Sequence, residues 1–242
     1  MTTRRASDAP GQDGSGSEPP DDAGGSVRPG LGHVAAAALV FFASAAVLVV
    51  ELVALRLLAP YLGLTLETNT LVIGIALAAI ALGSWAGGRA ADRIDPRDAL
   101  APLLGVSAIA AAAMPFVVRA VGMIGDAGLT LLAAAATIMI PGALLSAVTP
   151  MVTKLSLTSL SATGSVVGKL SGIGTAGSIV GTVITGFILI SAVPVTGIMI
   201  GLGVALLAAA AIVLAGLRRP QSPPGGRASG AWRCWRRSAP AR

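Results

Sequence analysis

Residues that form disulfides and metal sites are almost absent from this sequence. It contains one cysteine, Cys234, and one histidine, His33, which excludes an intramolecular disulfide and a Cys/His metal cluster. A Ser/His/Asp or Cys/His set for nucleophilic catalysis is not recognisable either. We therefore predict no catalytic residue and no bound metal, and an enzyme in its own right is the least favoured function for this chain.

Charged and aromatic residues are also scarce. Charged residues make up 12% of the chain and aromatic residues 3%, whereas an ordinary soluble domain is about 25% charged. Hydrophobic residues make up 54% and the mean hydropathy is +0.82. The 31 glycines suit helices that pack closely in a bilayer. These values predict that lipid surrounds most of the chain.

Six apolar stretches are long enough to cross a bilayer as helices. They predict an all-α integral membrane protein with about six transmembrane helices. The predicted spans are Val34–Leu58, Thr70–Gly88, Ala99–Val118, Gly128–Thr149, Gly168–Ala192 and Pro194–Leu217.

The two ends of the chain differ in composition from the apolar middle. Residues 1–30 are rich in Gly, Pro, Ser and Asp, so we predict a disordered tail. Their polarity and the length of the first apolar stretch do not fit a cleaved signal peptide. Residues 31–217 are expected to form the transmembrane domain, and residues 218–242 a basic tail of low complexity.

Lysine and arginine lie mostly on one side of the predicted spans. With the amino terminus placed in the cytoplasm, that side receives 15 of them and the other side receives two, Arg56 and Arg119. The positive-inside rule then predicts that both termini are cytoplasmic in the plasma membrane. The net charge of +6 is therefore attributed to topology and to contact with the lipid bilayer, and no nucleic-acid partner is predicted.

Two charged residues fall within the first predicted span. Glu51 and Arg56 are about 140° apart on a helix, so each is expected to meet a partner on another helix or a water-filled cavity. Ser44 lies two turns from Glu51 on the same face. The pattern fits a proton or cation site, and it fits somewhat better a structural buried pair or an acid that reaches the membrane interface.

The end of the second span combines small and charged residues. Gly83 and Gly87 form a small-xxx-small face for close helix packing. Asp95 is predicted to cap the third helix, with Pro96 in its first turn. The loop resembles the loop between helices 2 and 3 of major facilitator transporters, where such residues form a charge relay that latches helices. Its matching residues are Gly88, Asp92, Arg93 and Arg97.

Prolines interrupt the fourth predicted span. Pro141 and Pro150 each lack a backbone N–H and free the carbonyl four residues earlier, at Thr137 and Ser146. A kinked helix is predicted, with the two hydroxyls available to satisfy the freed carbonyls.

The fifth predicted span carries a stripe of hydroxyl groups within an arc of about 80°. The stripe fits either the lining of a polar pathway or a tight helix contact. Nearby, Gly172 to Gly177 reproduce the glycine spacing of a dinucleotide-binding loop, but that loop requires a preceding strand, so no cofactor is predicted. The stripe consists of Ser171, Thr175, Ser178, Thr182 and Thr185.

Taken in order, four segments resemble the membrane portion of fused major-facilitator/spermidine-synthase-like proteins. The similarity covers about residues 35–217. It implies half of a major-facilitator-like bundle that handles a small cationic solute such as a polyamine, with a homodimer completing twelve helices. The segments are Glu51–Gly63, Gly87–Arg93, Thr149–Leu155 and Gly168–Thr182.

In the fused proteins the membrane portion is followed by an aminopropyltransferase-like domain. Residues after Arg219 are too few for such a domain, and the change to Pro, Gly and Arg there suggests a disordered tail or a frameshift. Two other functions therefore stay open: a membrane anchor or partner subunit for a separate polyamine synthase, and a truncated product of a fused synthase.

Overall fold

The computed structural model describes residues 32–63, 65–157 and 163–218 of the chain. Within these ranges six helices are long and apolar enough to cross a membrane, which confirms the prediction of an all-α, multi-pass membrane protein. Apart from Arg218, both predicted tails lie outside the described residues. The helices are α1 (His33–Leu62), α2 (Leu66–Arg93), α3 (Pro96–Gly122), α4 (Ala127–Ser156), α5 (Thr163–Ala192) and α6 (Val195–Arg218).

Most helices extend several residues beyond the predicted spans. Helix α2 begins at Leu66 rather than Thr70 and continues past Gly88 to Arg93. Hydropathy identifies only the apolar part of each helix. The helical hydrogen bonds continue into the polar residues on either side, until a capping residue ends the helix. Here the Thr65 hydroxyl accepts a hydrogen bond from the Thr68 N–H at 3.1 Å.

Aspartates cap the first turns of α3 and α4. The Asp95 carboxylate accepts a hydrogen bond from the Arg97 N–H at 3.0 Å, with Pro96 in the first turn of α3, so the predicted cap is confirmed. Asp126 caps α4 in the same way through the Leu129 N–H at 2.6 Å. These caps satisfy backbone donors that the first helical turn leaves unpaired.

Helices α1 and α4 occupy the centre of the bundle. Helix α1 packs mainly against α4 and α5, while α4 also packs against α2 and α3, and α3 contacts α6. The apolar core forms two clusters, one around Val40 and Leu145 and the other around Val53 and Ile138. Helices α2 and α5 therefore flank the central pair α1 and α4.

The prolines of α4 do not end that helix, while α5 contains a turn of different hydrogen bonding. Helix α4 continues through both Pro141 and Pro150 to Ser156. Helix α5 contains a π-helical turn at Thr185–Leu189. Turns of this kind often occur near functional sites because they displace the side chains around them.

Candidate functional site

A small, partly open cavity lies among four of the six helices and is lined by hydroxyl groups. Its volume is about 160 Å³, enough for several water molecules at about 30 Å³ each. Apolar side chains of Val47, Leu48, Ile80 and Leu145 complete its wall. The hydroxyls belong to Ser44 on α1, Ser84 on α2, Ser146 and Thr149 on α4, and Ser178 on α5.

Glycines on α5 bring it into close contact with α1. A Cβ atom added to Gly181 would lie 2.8 Å from the Cα atom of Ala45, and one added to Gly177 would overlap the carbonyl of Phe41. Only residues without a side chain permit this approach. It places the Ser178 hydroxyl 3.4 Å from the Ser44 carbonyl oxygen, to which it donates.

The contact between α2 and α4 forms in the same way. A Cβ atom added to Gly87 would lie 2.6 Å from the Cα atom of Ala147, and one added to Gly83 would overlap the carbonyl of Ala143. The small-xxx-small face predicted on α2 is therefore confirmed, and α4 is the helix that it meets. Because Ser84 follows Gly83 directly, this contact places its hydroxyl at the cavity.

The hydroxyls of Thr137 and Ser146 on α4 were expected to satisfy the carbonyls that Pro141 and Pro150 free. In the structure they bond other carbonyls. Thr137 donates to the carbonyls of Ala133 and Ala134 at 2.9 and 3.0 Å, and Ser146 donates to Gly142 at 2.7 Å. Each hydroxyl thus bonds an earlier carbonyl rather than its own. Pro150 leaves the Ser146 carbonyl without its helical donor, which adds an acceptor to this part of α4.

The five hydroxyls of the predicted stripe on α5 lie in different environments. Ser178 lines the cavity. Thr175 and Thr182 are exposed and donate to carbonyls of their own helix at 3.0 and 2.8 Å, and Ser171 is also exposed. Thr185 is buried in the π-helical turn, and its hydroxyl has no partner among the described residues. The stripe therefore contributes one hydroxyl to the site rather than a continuous lining.

The charged residues of α1 lie beside the cavity rather than in its wall. Glu51 is half-buried and shares a helical face with Ser44, about 10 Å further along the axis. Arg56 is exposed. In the described part of the chain neither residue forms an ion pair with another helix, so the predicted partners are not found there.

Of the predicted latch residues, Asp92 lies beside a lysine of α4. The Lys154 ammonium donates to the carbonyl of Ala91 and lies 3.7 Å from the Asp92 carboxylate. Ala91 lies in the last turn of α2, where free carbonyls attract a positive charge. Lys154 and Ala91 are 63 residues apart in the chain. The local sequence therefore does not indicate that Lys154 lies beside Asp92.

The other members of the predicted latch lie in the last turns of α2 and the first turn of α3. Arg93 ends α2 with an exposed side chain, and Gly88 is half-buried with open space beside its Cα. Arg97 lies in the first turn of α3, where its backbone N–H is held by Asp95. Among the predicted latch residues, Asp92 therefore links the end of α2 to the end of α4.

Sequence reasoning did not select Ser84, Thr149 or Lys154 as site residues. Ser84 carried a usable signal, because it follows a glycine of the close-packing face. Thr149 and Lys154 lie within the segment that resembles the fused family, without a pattern that separates them from its other residues. In the ranges that the structure describes, no three His, Cys, Asp or Glu side chains are grouped as metal ligands.

Comparisons with protein-family models, with curated proteins and with solved structures find no match to this chain. The resemblance to fused major-facilitator/spermidine-synthase-like proteins therefore stays a prediction. Within its described ranges the structure establishes six membrane-spanning helices, with a hydroxyl-lined cavity between α1, α2, α4 and α5.

Proposed function

We propose that this chain is one half of a membrane transporter for a small polar solute and that the solute contacts the hydroxyl-lined cavity. The cavity itself carries the proposal. Hydroxyl groups from four helices line one space inside a membrane bundle, and a space of this polarity within lipid is suited to water or a polar solute.

The cavity of a single chain is too small to form a complete solute-binding site. Its volume of about 160 Å³ is below the roughly 300–1,000 Å³ of typical ligand pockets. Helices α2 and α5 flank the central pair α1 and α4, and all four helices line this partly open cavity. A second copy placed against its opening in a parallel, two-fold symmetric dimer would close a twelve-helix assembly around two such cavities.

The proposed solute is a small cation such as a polyamine. Glu51 supports this choice because it lies on the cavity face of α1 and has no ion-pair partner among the described residues. The resemblance to the membrane portion of the fused family supports it independently. Both termini are proposed to be cytoplasmic, because Arg89, Arg93, Lys154 and Lys169 lie at the same end of the bundle.

Transport is tested with purified protein in liposomes and radiolabelled spermidine. Uptake above that of empty liposomes is expected, and Thr149→Val should reduce it about fivefold, the equivalent of one hydrogen bond of about 1 kcal/mol. Thr175→Val is the matched control, because that hydroxyl is outside the cavity and bonds its own helix. Glu51→Gln should reduce spermidine uptake further.

Two outcomes would contradict the proposal. Wild-type liposomes that take up spermidine no faster than empty ones would refute transport of this solute, and a separate synthase that copurifies would then support the anchor function. Equal losses in Thr149→Val and Thr175→Val would show that the cavity is not where the solute binds. A monomeric mass in native mass spectrometry would refute the dimer.

A further inference from the structure

A second concave surface lies on α2, away from the hydroxyl-lined cavity. It is a groove of about 570 Å³ whose surface is almost wholly apolar. We name it the α2 groove. Its wall is formed by Leu66, Glu67, Thr70, Leu71, Gly74, Ile75 and Ala78 of α2, with Met139 of α4.

The α2 groove and the cavity occupy different faces of the helix. Ala78 lines the groove and Ser84 lines the cavity; they are six residues and so about 120° apart around the helix axis. The proposed dimer would cover the cavity side. The groove would still face the surrounding lipid in such a dimer and would be free to bind a molecule from the bilayer.

The shape of the groove matches a single acyl chain. Its lining runs from Leu66 to Ala78, a rise of about 18 Å at 1.5 Å per residue. One leaflet contributes about half of a hydrocarbon core roughly 30 Å thick. Gly74 adds to the depth of the groove, because it has no side chain to fill the open space beside it. A Cβ atom added there would meet no heavy atom within 4 Å.

A single carboxylate lies at one end of this groove. Glu67 is exposed in the first turn of α2, and in the described ranges it forms no ion pair. The 28 residues of α2 span about 42 Å, close to the roughly 40–45 Å that includes both headgroup layers. Glu67 therefore lies at headgroup level, at the end of α2 opposite Asp92.

The remaining polar group of the groove is already bonded. The Thr70 hydroxyl donates to the Leu66 carbonyl at 2.8 Å, which leaves the Glu67 carboxylate as the charged group available to a headgroup. A carboxylate favours a cationic donor, most strongly one that also carries hydrogens to share. A primary ammonium meets both conditions, while a quaternary one lacks hydrogens and a phosphoglycerol headgroup lacks positive charge.

We propose that the α2 groove binds one acyl chain of a phospholipid with a primary amine headgroup, whose ammonium pairs with Glu67. The lipid would fill a surface that the protein leaves open. Its selectivity would come from the headgroup, because any acyl chain of suitable length fits the apolar wall equally well.

The test is native mass spectrometry of the purified full-length protein with added lipids of identical acyl chains. Phosphatidylethanolamine is compared with its N-methylated series through phosphatidylcholine and with phosphatidylglycerol. Wild-type protein is expected to retain phosphatidylethanolamine about 1.5-fold to fivefold over phosphatidylcholine, the range for an exposed ion pair. Retention should decrease with each added methyl group.

Two variants separate the headgroup contact from the acyl contact. Glu67→Gln should bind phosphatidylethanolamine and phosphatidylcholine equally, while Gly74→Leu should reduce binding of both by filling the groove. Asp98→Asn is the matched control, an exposed acid in the first turn of α3 away from the groove. It should leave the preference unchanged.

Three results would overturn the proposal. Equal retention of phosphatidylethanolamine and phosphatidylcholine by wild-type protein would remove the headgroup selectivity. An unchanged preference in Glu67→Gln would assign it to another residue. A Gly74→Leu variant that changes the oligomeric mass but not the lipid retained would show that a second copy of the chain covers the groove.

Discussion

The close contact between α1 and α5 is expected to fail when a methyl group is added at Gly181. A Cβ atom there would lie 2.8 Å from the Cα and carbonyl oxygen of Ala45, about 0.6 Å inside an ordinary contact of 3.4 Å. Both of these atoms belong to backbone, which cannot rotate away. Gly181→Ala therefore forces the two helices apart.

The size of the effect follows from a comparison within α5. Overpacking of a tight contact costs about 1–3 kcal/mol, while an alanine in a helix regains about 0.5–1 kcal/mol over glycine. Gly172 is the control, because a Cβ atom there would meet no heavy atom within 4 Å. Since both variants gain the same helix propensity, their difference isolates the overpacking cost of about 1–3 kcal/mol.

The assay is reversible unfolding in mixed micelles of a mild detergent and sodium dodecyl sulfate, followed by circular dichroism. Gly181→Ala is expected to unfold at a lower fraction of the denaturing detergent than Gly172→Ala. The hydrogen bond from Ser178 to the Ser44 carbonyl is already long at 3.4 Å, so the same variant should also reduce solute uptake. Free energies of unfolding within about 0.5 kcal/mol of each other would refute the close contact as the source of stability.

Three further changes test the helix ends and the π-helical turn by the same unfolding assay. Lys154→Met should lower the free energy of unfolding by about 1 kcal/mol or less, because the side chains of Lys154 and Asp92 are 44% and 83% exposed; no coupling in a double-mutant cycle with Asp92→Asn would contradict the ion pair. Thr185→Val should leave stability unchanged or raise it by about 1 kcal/mol, since the buried hydroxyl has no described partner; a clear loss would reveal a partner. Asp95→Ala should cost about 0.5–2 kcal/mol through loss of the α3 cap, more than Asp98→Ala; equal losses would contradict the capping role.

Much of the local structure follows from the sequence alone. Long apolar stretches fix the number of spans, because a helix is the way for a single segment to satisfy its backbone hydrogen bonds in lipid. Asp95 begins α3 because its carboxylate and the following Pro96 suit a first helical turn. Gly83 and Gly87 allow close packing because any side chain would clash with the opposite backbone. Each of these features depends on a few neighbouring residues.

The environment of each hydroxyl in the α5 stripe does not follow from the local sequence. Helical periodicity places its five hydroxyls on one side of the helix, but which of them meets another helix depends on how α1 sits against the glycines. In the structure Ser178 faces the cavity, while Thr175 and Thr182 bond their own helix. Hydroxyls that share a helix face can therefore end in different environments.

Hydropathy and local pattern determine the six membrane-spanning helices of the described residues and, for α3, the residue at which the helix begins. Only the tertiary structure decides that Ser84, Thr149 and Ser178 share one cavity and that Lys154 reaches the end of α2. The reason is that lipid surrounds every span with the same apolar medium, so hydrophobicity does not select which helices pair. That choice depends on the fit between small residues on one helix and the backbone of another, a property of two surfaces that meet only in the folded bundle.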